Sequence, residues 1–137
     1  MSTLAPVPTP PVRPHAASGA GAHVAYLSGR PMVRAWPYPI DDLGLDPHQL
    51  RRFWVAAVGP GPVEDLMRLI SAAHRRKPLR LPRWLDVLLE ERVAHVVGRV
   101  VWVPSGLPPL PRGTLTRLSP AIRRRYLEWL RSQLCPR

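Results

Sequence analysis

Apolar residues recur at helical spacing in several long stretches of the chain and crowd together in a few short ones. In "LDPHQLRRFWVAAV", residues 45–58, Leu50, Phe53, Trp54 and Ala57 fall on one helical face. Asp46 is placed to cap that helix, Pro47 suits its first position, and Gln49 falls three after Asp46, close to a capping box. "VGPGP" ends it. Pro62 opens a second helix, "PVEDLMRLISAAHRR", with Val63, Leu66, Met67, Ile70 and Ala73 as its stripe. Glu64 and Asp65 lie in its first turn and His74, Arg75 and Arg76 in its last, so both ends complement the helix dipole. A third helix is predicted from about Pro82 to Glu91, with Trp84, Leu85, Leu88 and Leu89 facing inward. "RVAHVVGRVVWVP" either prolongs it to about Val97 or turns extended; its β-branched half, "RVVWV", reads as a strand. Ser119 caps and Pro120 begins the last helix, where Ile122, Tyr126, Trp129, Leu130 and Gln133 share a face and Arg124, Glu128 and Arg131 lie outside it.

No such pattern exists at the N-terminus. Residues 1–23 are rich in proline, alanine and glycine, and "LAPVPTPPVRP" favours polyproline II, so this segment is expected to be a disordered arm. From Val24 to Gly44 the chain reads as irregular, with "VAYL" and "MVRAW" as short extended pieces and "WPYP" as an aromatic–proline turn. The fold class expected is mainly α: one small domain over residues 24–137, with about four helices and one or two short strands.

Charge changes the picture most. The chain of 137 residues carries 20 Lys+Arg against 9 Asp+Glu, a formal +11, and Lys77 is its one lysine. A guanidinium meets phosphate or carboxylate as a planar fork, so an arginine habit suits phosphate or an acidic protein surface. Codon bias in a GC-rich genome writes the same habit. The cations cluster. "HRRKPLRLPR" holds Arg75, Arg76, Lys77, Arg80 and Arg83, the last helix holds Arg123, Arg124 and Arg125, and the first holds Arg51 and Arg52. Three consecutive helical residues fan over roughly 200°, so Arg123–Arg125 cannot all be buried. These ten residues are the candidate contacts to a nucleic acid or to an acidic partner protein.

Other chemistry is thin. "VAAVGPGPVEDLMRLI" has the two glycines of a helix–hairpin–helix, the turn that offers backbone N–H groups to a DNA phosphate. Pro60 stands between them, however, and Glu64 and Asp65 would face and repel the phosphate, so a plain interhelical turn is the better reading. The five histidines and Cys135 show no zinc spacing, and no phosphate loop followed by Lys-Ser/Thr appears. No cofactor, metal or catalytic residue is expected. The five tryptophans sit in apolar patterns, so core packing is their default reading, and among them "RAWPYP" best fits a base-stacking platform. No apolar run approaches the roughly 20 residues that span a bilayer, and the N-terminus lacks the pattern of a secretory signal.

One resemblance lies in the C-terminal third. "VGRVVWVPSGLPPL" followed by "LTRLSPAIRRRYLEWLRS" resembles the TerB amino-terminal domain family, which is associated with tellurium resistance and phage defence. The matching positions are Ser105, Gly106, Leu118, Ser119, Pro120, Arg123, Tyr126, Leu127, Trp129 and Leu130, within residues 96–132. The resemblance implies a domain of a bacterial conflict system and carries over no catalytic residue. The reading as a whole is a non-enzymatic basic module of a larger assembly, cytoplasmic or nucleoid-associated. Nucleic acid is its first expected ligand and an acidic protein its second.

Overall fold

The computed structural model of the chain describes residues 29–36 and 44–134. The arm (1–23), "VAYL", the turn after Trp36 and Cys135 lie outside the described residues.

Helix α1 spans Pro47–Val58 and starts as its cap dictates, the Asp46 carboxylate accepting the His48 N–H at 3.1 Å. Leu50, Phe53 and Trp54 are buried on its inner face. Gly59, at φ +95°, ends α1 and also begins α2, Pro60–Arg75. The second helix therefore opens two residues earlier than the sequence suggested, because proline is tolerated in a first turn where its missing N–H has no partner. The joint between the two helices is a single residue, and its positive φ is readily open to glycine alone.

Helix α3 is short, Leu85–Glu90. Arg92, at φ +60°, breaks it, and the N–H groups of Val93 and Ala94 both turn back to the Leu88 carbonyl. The chain then forms a hairpin and not a longer helix. Strand β2, His95–Val97, joins β3, Val100–Pro104, through the two-residue turn Gly98-Arg99, with Gly98 at φ +61°. Glycine at the first turn position suits the twist of a tight hairpin. Strand β1, Met32–Trp36, lies parallel to β3 on its other side, so the sheet runs β1-β3-β2. Among the described residues there are thus three strands, one more than the sequence suggested.

Period-2 alternation divides the sheet. Val33, Val101 and Val103 are buried and, with Ala35 and Val96, face α2 and the core, where Leu66, Leu69, Leu85 and Leu88 meet them. The opposite face carries Arg34, Trp36, His95 and Trp102, with the rings of Trp36 and His95 5.2 Å apart.

The proline loop after β3 is fastened at both ends. The Trp54 indole donates to the Pro108 carbonyl at 2.7 Å, and Leu110 N–H donates to the Tyr126 hydroxyl at 2.9 Å. A one-turn helix, α4 (Arg112–Leu115), follows; nothing in its "RGTL" has helical periodicity. It is held instead by the buried Glu91 carboxylate, which accepts from the Thr114 hydroxyl at 3.1 Å and pairs with Arg117. Helix α5, Pro120–Leu134, begins as predicted, with Ser119 Oγ accepting the Ile122 N–H at 3.3 Å. Its Tyr126 and Trp129 pack on Phe53 of α1, at ring separations of 5.0 and 5.4 Å. The described residues hold five helices, α4 being the additional one.

Candidate nucleic-acid interface

From Leu66 to Leu85 the chain carries no acid. Helix α2 ends in this stretch with a Schellman motif: Lys77 N–H reaches the Ala72 carbonyl at 3.1 Å and Arg76 N–H the Ala73 carbonyl at 3.2 Å. The motif needs one left-handed residue, and Arg76 supplies it at φ +54°. Glycine would do so without strain, so an arginine here is retained at a cost in stability.

Beyond Arg76 the linker is pinned twice more. Leu79 N–H donates to the Pro31 carbonyl at the start of β1, at 3.2 Å. Trp84 N–H donates to the buried Asp65 carboxylate on α2, at 2.9 Å. Two of the anchors, Ala72 and Asp65, lie on α2 about 10 Å apart along its axis. Lys77 to Trp84 could reach about 25 Å if extended. The linker therefore bows outward, touching β1 at Leu79 and returning to the front of α2. Leu79 and Leu81 pack inward, while Lys77, Arg80 and Arg83 point to solvent and Pro78 and Pro82 stiffen the backbone between them.

The result is a basic strip along α2. Arg75, Arg76, Lys77, Arg80 and Arg83 are all exposed on it. Among the described residues, the ion pairs are Arg68–Glu64 and Arg117–Glu91, and neither involves the strip. His74 anchors its upper end, with Nε2–H donating to the Ser105 carbonyl at 2.7 Å. Beside it a groove of about 690 Å³ runs along β1, lined by Met32, Arg34, Ala73, His74, Arg76 and Trp102. Arg34 was not among the residues the sequence singled out. The alternation of "MVRAW" places it on the outer sheet face, which is the signal that could have found it.

The other candidate arginines lie elsewhere. Arg123 is turned inward: its guanidinium donates to the carbonyls of Leu115, Thr116 and Leu118 at 3.0, 3.3 and 3.1 Å. It closes the end of α4 and is committed to the fold. Arg124 and Arg125 are exposed on α5, and Arg51 and Arg52 on α1, where the latter two line a hollow of about 590 Å³ with His48. Helices α1 and α5 pack together through Phe53, Tyr126 and Trp129, so these four arginines belong to a different pair of elements from the strip.

Trp84 departs most from expectation. It does not face the core but is 38% exposed. The reason is that it precedes α3 and lies across the first turn of α2, where a Cβ on Gly61 would come within 2.5 Å of the indole nitrogen. The Arg83 guanidinium carbon sits 5.3 Å from the centre of its ring. Gly61 is also the second glycine of the hairpin-like motif. It is covered by an indole, and Asp65 is occupied by Trp84, so this turn is a packing joint between α1 and α2.

Among the described residues no group of three or more His, Cys, Asp or Glu is placed to hold a metal ion, and no helix is long and apolar enough to cross a membrane. The site thus defines a class by its physical character, a helical domain bearing a pinned, arginine-rich strip. No family model, curated protein or solved structure matches the chain. The resemblance of residues 96–132 to the TerB amino-terminal domain rests on those residues alone, and it assigns nothing to the strip.

Proposed function

We propose that this chain is a binding module, without catalysis of its own, that holds the phosphate backbone of a nucleic acid along Arg75, Arg76, Lys77, Arg80 and Arg83 as an accessory subunit of a larger assembly. One observation carries the reading: these exposed cations stand on a backbone pinned at Lys77, Leu79 and Trp84, with no acid among them. A helix dipole accounts for cations in the last turn of α2, but not for Lys77, Arg80 and Arg83 beyond it. A pinned, proline-stiffened linker also loses little freedom on binding.

Replacing Lys77, Arg80 and Arg83 by Gln tests it. Binding is expected to weaken about equally on all sequences, and the dependence of log K on log[salt] to flatten by roughly 0.7–0.9 for each phosphate that is no longer neutralised. None of the three lies in the core, so the thermal midpoint is expected to hold. Binding unchanged at every salt concentration would sink the proposal.

A second reading has its own observation. The groove beside β1, with Arg34, His74 and Arg76 along an edge that carries no other strand among the described residues, suits an extended acidic segment of a partner protein. Under that reading an acidic polypeptide, and not a nucleic acid, loses affinity when Arg34 is changed to Gln.

A further inference from the structure

Trp84 is a large apolar side chain left 38% exposed at the end of the basic strip. Its position is built. The buried Asp65 carboxylate fixes its backbone N–H. Gly61 leaves the room in which the indole lies on α2, since a Cβ there would come within 2.5 Å of the indole nitrogen. The Arg83 guanidinium carbon lies over the ring, 5.3 Å from its centre, as a cation–π contact.

We infer that Trp84 is a base-stacking platform, and that the nucleic acid held by the strip is single-stranded. The inference deepens the function proposed above and rests on it. An exposed indole offers a flat, polarisable face that any unpaired base can cover. In a duplex those faces are already stacked on one another, whereas a single strand presents them. Arg83 immediately precedes the ring in the chain and Arg80 stands four residues before it, so a strand whose phosphates follow the strip is brought to the indole. A planar cation over an indole marks the place a base would take, with the Arg83 guanidinium moving to its far face or to a phosphate. The platform has no hydrogen-bond pattern to read, so it selects strandedness and not sequence.

The test uses the full chain with three labelled probes about 15 nucleotides long: oligothymidylate, oligouridylate and a mixed-sequence DNA duplex. Trp84→Leu is expected to weaken binding of the single-stranded probes about 5- to 150-fold. Its salt slope should stay that of the parent, because no charge is removed, and duplex binding should stay within about twofold. Comparable losses on the two single strands identify an unpaired base as the ligand; a loss on one alone narrows it to DNA or to RNA. Trp84→Phe keeps an aromatic ring over Gly61 and guards against a folding defect. It should retain part of the single-strand affinity while losing the indole quenching that a stacked base produces in the parent. Unchanged single-strand binding by Trp84→Leu, or equal losses on single strand and duplex, overturns the platform and leaves phosphate binding by the strip standing. Failure of the parent to bind any of the three probes overturns both.

Discussion

Arg76→Gly separates what the strip costs the fold from what it does. Arg76 sits at φ +54°, ψ +39°, where its Cβ crowds the backbone. For an L-residue that conformation costs about 1–2 kcal/mol. Glycine escapes the cost but has more freedom to lose on folding, about 0.4–1 kcal/mol. The difference leaves a gain of about 0.5–1 kcal/mol, since the exposed Arg76 side chain makes no ion pair among the described residues that would be forfeited. For a domain of about 100 residues that raises the thermal midpoint by roughly 2–8 °C. The same change removes one cation from the strip, so nucleic-acid binding should weaken and its salt slope flatten by about 0.7–0.9. Thermal melts and salt titrations of the same preparations give both numbers. Arg76→Ala is the control: it loses the cation and keeps the strained conformation, so binding should fall equally with no gain in midpoint. A glycine variant that melts below the parent would show that the arginine side chain supports the fold, refuting the account of the strain. A glycine variant more stable than the parent but with the parent's salt slope would remove Arg76 from the phosphate contacts.

Tyr126→Phe leaves the buried Leu110 N–H without its acceptor while keeping the ring on Phe53, and is expected to cost about 1–3 kcal/mol by denaturant melts. Burial raises the Tyr126 pKa above its ordinary 10.0, against a smaller opposing effect of the Leu110 hydrogen bond. The unfolded chain then ionises first, so stability should fall as pH rises past about 10 in the parent and fall less in the phenylalanine variant. Burial lowers the His95 pKa below 6.5, with the Arg92 charge adding to the shift and an Arg92 backbone hydrogen bond opposing it. The unfolded chain therefore takes up the proton first as pH falls through about 6.5, so stability should drop below that pH, and His95→Gln should flatten the dependence. Arg123→Gln gives up charged hydrogen bonds to backbone carbonyls and should lower stability by about 1–2 kcal/mol while leaving nucleic-acid affinity within about twofold.

The helices with strong local signals are legible in the sequence alone. Asp46-Pro47 and Ser119-Pro120 announce α1 and α5 because a cap and a proline act within one turn. The stripes Leu50-Phe53-Trp54 and Tyr126-Trp129-Leu130 need only the helical period. What escapes is set by distant partners. Helix α4 exists because Glu91 holds Thr114 and Arg117, residues more than twenty positions away, and no local pattern encodes that. β1 is legible as the extended piece "MVRAW", but its parallel pairing with β3, and the pairing of His95–Val97 on the other side of β3, are not. At the site, the linker cations are readable from charge and proline alone. That Arg123 turns inward onto backbone carbonyls while Arg124 and Arg125 stay exposed is not legible, because a run of three arginines does not say which one is spent on the fold. Trp84 reads wrongly as core because apolar periodicity cannot distinguish a residue inside a short helix from one just before it, and the meaning of Gly61 appears only once the indole lies over it.

The parallel pairing of β1 with β3 sets an order on the making of the protein. β1 is synthesised first, yet its neighbour is not complete until Pro104, and α1, α2, α3 and β2 all come between. At ordinary elongation rates of about 5–20 residues per second, that interval is roughly 3–14 s. Throughout it, Val33 and Ala35 have no β3 beside them, and the edge of β1 that β3 will take is open. Closing so long a loop also carries an entropy cost that the helices, built from near neighbours, avoid. A chain stalled before Pro104 therefore carries β1 without its partner, an open strand of the kind that pairs with the same strand on a neighbouring nascent chain.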